Sequence, residues 1–116
     1  MKNTMAMIQS LVRALLLASL LGSATVSNAA DIQAGASKAK EVCQACHGMD
    51  GNSPIPENPK LAGQNSDYLA KALRDYKSGA RKNPVMGAMA STLTPKDIDD
   101  LAAYFAAQPP VLVSRY

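Results

Sequence analysis

Cys43-Gln44-Ala45-Cys46-His47 is the stretch that decides how the rest of this chain is read. Its pattern is Cys-x-x-Cys-His, the spacing used to attach a c-type haem. Each thiol can add across one vinyl group of the porphyrin and form a thioether. Two intervening residues place the two sulfurs on adjacent helical turns, matching the separation of the vinyls. The next residue, His47, is then carried under the iron, where imidazole is a suitable donor. His47 is the only histidine in the sequence, so it has no rival for that position. A redox Cys-x-x-Cys of the thioredoxin kind needs a βαβ pattern, which the sequence lacks. A zinc site needs more Cys or His than one histidine and two cysteines supply.

The residues before the motif read as an address. Lys2 and Arg13 are the only charges in the first thirty positions, an apolar run follows at Ala14–Gly22, and small and polar residues end in Ser27-Asn28-Ala29-Ala30. That order is the pattern of a secretory signal peptide, with cleavage after Ala29 or Ala30. The run is short for a membrane anchor, so an uncleaved tether is the lesser alternative. The sequence thus divides into a signal over 1–30 and one domain over 31–116. Export suits the motif, because covalent haem attachment needs reduced thiols and assembly beyond the membrane. The expected location is the periplasm, with no transmembrane segment in the mature chain.

Charge and composition narrow the function classes. Of 12 basic residues two lie in the leader, which leaves ten against nine acidic ones in the mature part. A nearly neutral chain without a basic face is not a nucleic-acid binder. With no Trp, one Phe and much Ala, it also has little with which to build a core. Domains this small usually need a staple. A disulfide between Cys43 and Cys46 would close too small a loop to serve. A large apolar cofactor at the centre would.

Three helices are predicted, and the fold class is all-α. The first spans about Gly35–Cys46. The second follows the capping residues Asn65-Ser66-Asp67, with Leu69, Ala72, Leu73 and Tyr76 on one face and Gly79 as its stop. The third opens at Thr94-Pro95 with Asp97 in its first turn, repeats the spacing at Ile98, Leu101, Ala102 and Phe105, and ends at Pro109-Pro110. Between them, Gly48–Gln64 and Ala80–Leu93 read as loops without a period. The first is long for a compact domain unless it wraps a cofactor.

A second axial ligand has few candidates. Met49 follows the proximal histidine too closely to reach the opposite face. Met86 and Met89 remain, in Asn83-Pro84-Val85-Met86-Gly87-Ala88-Met89, and spacing alone does not choose between them. Pro84 stiffens the approach, and Gly87 would let the backbone come close to the ring. Thioether ligation favours ferrous iron and raises the potential, which suits an electron carrier. The cationic run Lys77, Arg81, Lys82 could dock an acidic partner near the haem edge, although such runs are more often simply solvated.

Taken together, the mature sequence resembles the class I c-type cytochromes, of the small bacterial kind similar to one half of the dihaem periplasmic cytochromes. The resemblance rests on Val42-Cys43-Gln44-Ala45-Cys46-His47-Gly48, Asp50-Gly51-Asn52-Ser53-Pro54, Pro59-Lys60-Leu61-Ala62-Gly63-Gln64, Tyr68-Leu69, Arg81-Lys82-Asn83-Pro84, Leu93-Thr94, Asp97-Ile98 and Leu101-Ala102-Ala103-Tyr104-Phe105. It implies three main helices and long loops around one covalently bound haem c. It implies Met86 as the ligand, seven residues before Leu93, and the Pro59 carbonyl as acceptor of the His47 ring N–H. It also implies that the first and last helices cross at a small residue, here Gly35. A bulky side chain usually follows four residues on, but this sequence has Ala39, so the crossing is expected to lean on Leu101 and Tyr104. The implied function is one-electron transfer between a redox donor and a redox acceptor, without enzymatic turnover. The alternatives are a cytochrome subunit of a periplasmic oxidoreductase complex and, less favoured, a gas- or peroxide-binding haem protein with an open iron.

Overall fold

A computed structural model describes residues 4–8 and 29–112. Residues 4–8 are an exposed helical turn. Of the leader predicted over 1–30, residues 1–3 and 9–28 lie outside the described residues. Five helical segments follow: α1 (Ile32–Val42), α2 (Gln44–His47), α3 (Ser66–Ser78), α4 (Pro84–Ser91) and α5 (Pro95–Ala106). Among the described residues there is no strand, and no helix is long and apolar enough to cross a membrane.

Local chemistry explains where each helix begins and ends. The Asp31 carboxylate accepts the free N–H groups of Gln33 and Ala34, and so opens α1. Asn65 does the same for Tyr68 in α3, which Gly79 closes at φ 81°. Thr94 and Asp97 form a reciprocal capping box at the start of α5, with Pro95 in its first turn. The predicted first helix is in fact two. Its ladder breaks at Cys43, whose N–H still bonds back to Ala39 while its own carbonyl accepts from Cys46 and His47.

One predicted loop contains a helix. Pro84–Ser91 is α4, opened by Asn83, whose side-chain oxygen accepts from Val85 and Met86 at 3.0 Å each. The cap and the proline at the first position were both visible in the sequence. A central glycine and the lack of an apolar stripe hid the helix. Gly87 is turned towards α3, where an added Cβ would stand 3.8 Å from the Tyr76 carbonyl oxygen, an ordinary contact.

Packing is dominated by α1 against α5, with α3 lying on α5 and α4 on α3. The crossing of α1 and α5 is at Gly35, as the resemblance implied. A Cβ there would sit 2.2 Å from the Asp100 carbonyl oxygen and 2.8 Å from Tyr104 Cβ. Ala39, Leu93, Ile98, Leu101 and Phe105 form the buried centre with Leu69 from α3. The long 48–64 segment is anchored to α5 and to the tail beyond it. Tyr104 donates its hydroxyl to Met49 O (2.8 Å), and Gly63 N–H donates to Phe105 O (3.0 Å). Gly51, at φ 74°, folds back so that its carbonyl accepts from Leu61 and Ala62 while its Cα abuts the Phe105 ring. A side chain there would meet both that ring and the backbone. Asn52 bonds Pro109 O and Val111 N–H, tying the tail after α5 to the same loop.

Candidate haem site

The break at Cys43 makes α2 a separate turn, and α2 ends by turning His47 inward. His47 is buried, with Gly48 closing the turn behind it and its Nδ1 lying 2.9 Å from the Pro59 carbonyl oxygen. The carbonyl can only accept, so Nδ1 carries a proton, and in the neutral ring Nε2 is the nitrogen with the free lone pair. The ring is thus fixed in one tautomer and one orientation.

That ring lines a cavity with about 840 Å³ of empty space, part of it open to solvent. Its walls come from α2, α3, α4, α5 and the loop before α3, but not from α1. α3 contributes the face Leu69, Ala72, Leu73 and Tyr76, and α5 contributes Leu101, Ala102 and Phe105. The loop contributes Pro59 to Leu61 and Gln64, α4 contributes Met86, and Arg81 with Tyr68 completes the lining. The face of α3 read from its periodicity therefore looks largely onto the cavity.

The structure brings Cys43, His47, Pro59 and Met86 together in this lining. Met89 and Met49 are exposed and lie outside it. Cys46 is exposed and is not part of the lining either, whereas Cys43 is half-buried. Burial, with a smaller contribution from neighbouring Cys46, pushes the Cys43 thiol up to about 11. Both thiols are free. An apolar cavity holding one thiol, one imidazole nitrogen with an unused lone pair and one thioether has the donor set of a c-type haem pocket.

Sequence reasoning missed the polar rim. Tyr68, Gln64 and Arg81 each occurred in quoted motifs, but nothing in their spacing marked them as facing a ligand. The guanidinium of Arg81 lies 4.9 Å from the centre of the Tyr76 ring. Lys77 points its ammonium at the carbonyls of Ser91 (2.8 Å) and Leu93 (2.6 Å). Two of the three cations read as a docking run are therefore engaged within the fold.

Comparison with known proteins agrees with this geometry. Residues 30–105 match the family described as cytochrome c oxidase, cbb3-type, subunit III. The chain is 53% identical over 79 residues to cytochrome c4 of Thiocapsa roseopersicina, covering 68% of this chain and 41% of that protein. It is 41% identical over 83 residues to cytochrome c-554(548) of Halomonas halodenitrificans, covering 69% of this chain and 99% of that one. The crystal structure of reduced recombinant cytochrome c4 from Pseudomonas stutzeri superposes with a TM-score of 0.68 at 45% identity, covering 72% of this chain and 48% of that one. The chain spans about two-fifths to half the length of the cytochrome c4 proteins it matches. Since the matched residues are those that build the cavity, this chain belongs to the c-type cytochrome family.

Proposed function

We propose that the chain is a one-electron carrier that holds a single haem c, with Cys43 and Cys46 as covalent anchors and His47 and Met86 as axial ligands. The observation that carries this reading is that His47 and Met86, from different helices, line the same apolar cavity as Cys43. When bound, the haem supplies a one-electron Fe(III)/Fe(II) couple. The protein's part is to hold and tune it. Pro59 holds the His47 ring by its Nδ1–H and raises the donor strength of Nε2. A Met86 thioether on the iron would favour the reduced state and so a high potential. The apolar walls of α3 and α5 would keep water from a bound haem. The chain thus carries electrons and converts no substrate.

The proposal extends to place and partners. Residues 1–30 act as an export signal, and 31–116 form the cytochrome domain in the periplasm. The start of α1 at an Asp31 cap and the family match from residue 30 support that boundary. The partners are a redox protein that donates and one that accepts. Occupancy is tested by the haem-to-protein ratio, expected at one per chain. Ligation is tested by the weak far-red charge-transfer band of ferric haem bound to methionine sulfur. The band is expected in the wild type and in Met89→Ala, and absent in Met86→Ala, whose potential falls. Loss in Met89→Ala instead would move the ligand; a high-spin wild type would bring the gas- or peroxide-binding alternative forward.

A further inference from the structure

α4 is weakly rooted for an element with so much to position. Its one buried residue is Ala90, which brings little apolar area, while Val85 and Met89 point outward. It packs on α3. Its place is set instead by hydrogen bonds at its ends. At the start, Asn83 caps Val85 and Met86. At the other end the last carbonyls must find partners outside the helix. Ser91 Oγ donates to Ala88 O, Thr92 Oγ1 to Met89 O, and Leu93 N–H to Ala90 O. Those donors are all local. Lys77, on the last turn of α3, alone reaches across: its ammonium bonds both Ser91 O and Leu93 O. A cation placed there also opposes the negative end of the helix dipole.

We propose that Lys77 is a positioning residue for the axial methionine: it latches the C-terminal end of α4 to α3 and so sets how readily Met86 leaves the iron. The inference rests on the reading of Met86 as ligand. Lys77 does not line the cavity, so its effect passes through the placement of α4.

The test is titration of the oxidised holoprotein with imidazole, which competes with the thioether, followed by loss of the far-red band. Lys77→Met keeps the length of the side chain and removes its donors. It is expected to bind imidazole about ten-fold or more tightly than the wild type, on the scale of one hydrogen bond from a charged group. Hydrogen exchange at the α4 amides should quicken in the same variant. Lys77→Arg, which can still reach both carbonyls, should restore most of the wild-type affinity, and Lys77→Gln should fall between if Lys77→Met does not fold. Arg74→Ala serves as a control. It breaks the α3–α5 pair with Asp99 and leaves α4 alone, so its imidazole affinity should stay at the wild-type value. A Lys77 variant that melts earlier but binds imidazole like the wild type, or a control that shifts equally, overturns the inference. A wild type without the far-red band is a different result: it removes the ligand reading on which the latch depends.

Discussion

A single methyl group on Gly35 would strike the backbone of α5, since the nearest atom is a carbonyl oxygen 2.2 Å from where Cβ would stand. Backbone cannot move aside as a side-chain tip can. Gly35→Ala is therefore expected to destabilise the domain by about 1–3 kcal/mol despite the better helix propensity of alanine. Thermal melting of the holoprotein checks this, and an unchanged midpoint would show that the helices separate freely. Beside this contact lies Asp100, buried on α5, which accepts from the Asp31 N–H (2.7 Å) and from Lys96 Nζ (2.8 and 2.9 Å). Burial pushes its carboxyl up, but the bonds from Asp31 and Lys96 outweigh it and hold the group below the ordinary carboxylate range. A carboxyl lowered on folding adds stability above its unfolded value near pH 4, and that stability is lost as pH falls through the folded value. Asp100→Asn should thus be less stable than the wild type at neutral pH by about 1–3 kcal/mol, with the gap closing towards pH 2. A gap independent of pH would mean that the charge contributes nothing. Of these two neighbours, Gly35 was readable through its family likeness, while Asp100 was not. An aspartate next to Asp99 on a helix reads as solvated, and only the arrival of Asp31 from the other end of the domain makes it buried.

At the scale of the element, the helices differ in what anchors them. α3 and α5 carry continuous apolar faces and fine caps, so their existence and their buried sides followed from spacing. α4 carries a cap and a proline but no face, and its residues formed no period to detect. Its dependence on end bonds makes a prediction of its own. Asn83→Ala removes the acceptor for two helical N–H groups, one of them that of Met86. It should cost about 1 kcal/mol of stability and weaken the far-red band. Thr94→Ala, at the capping box of α5, should cost a similar amount and leave the band intact. Equal spectra in the two variants would show that the α4 cap has no special bearing on the ligand. The break at Cys43 had no sequence signal, because the residue types on both sides suit a helix. It comes from tertiary demand: His47 must turn under the cavity while α1 stays on α5.

For the whole molecule, the shortage of large side chains did foretell a central cavity, since a chain with one Phe and no Trp has little else to enclose. How the loop closes that cavity could not be foretold. The closure runs through Tyr104 to Met49 and Gly63 to Phe105, and such pairings between loop and helix leave no periodic mark. Charge tells a related story. Lys38, Lys71, Arg74 and Lys96 each pair with a carboxylate, and Lys77 is spent on carbonyls. With ten basic against nine acidic residues over 31–116, the net charge is close to zero and the long-range field is shallow. Diffusing partners would be guided to it by contact rather than drawn from a distance. Electron exchange with a small anionic oxidant should then vary less than about two-fold in rate between dilute buffer and physiological salt, where strong steering falls off steeply. A rate that dropped ten-fold would reveal a cationic docking face after all. On the reading proposed above, such a carrier would meet its partners at the pace of ordinary collision, equally in fresh or saline surroundings.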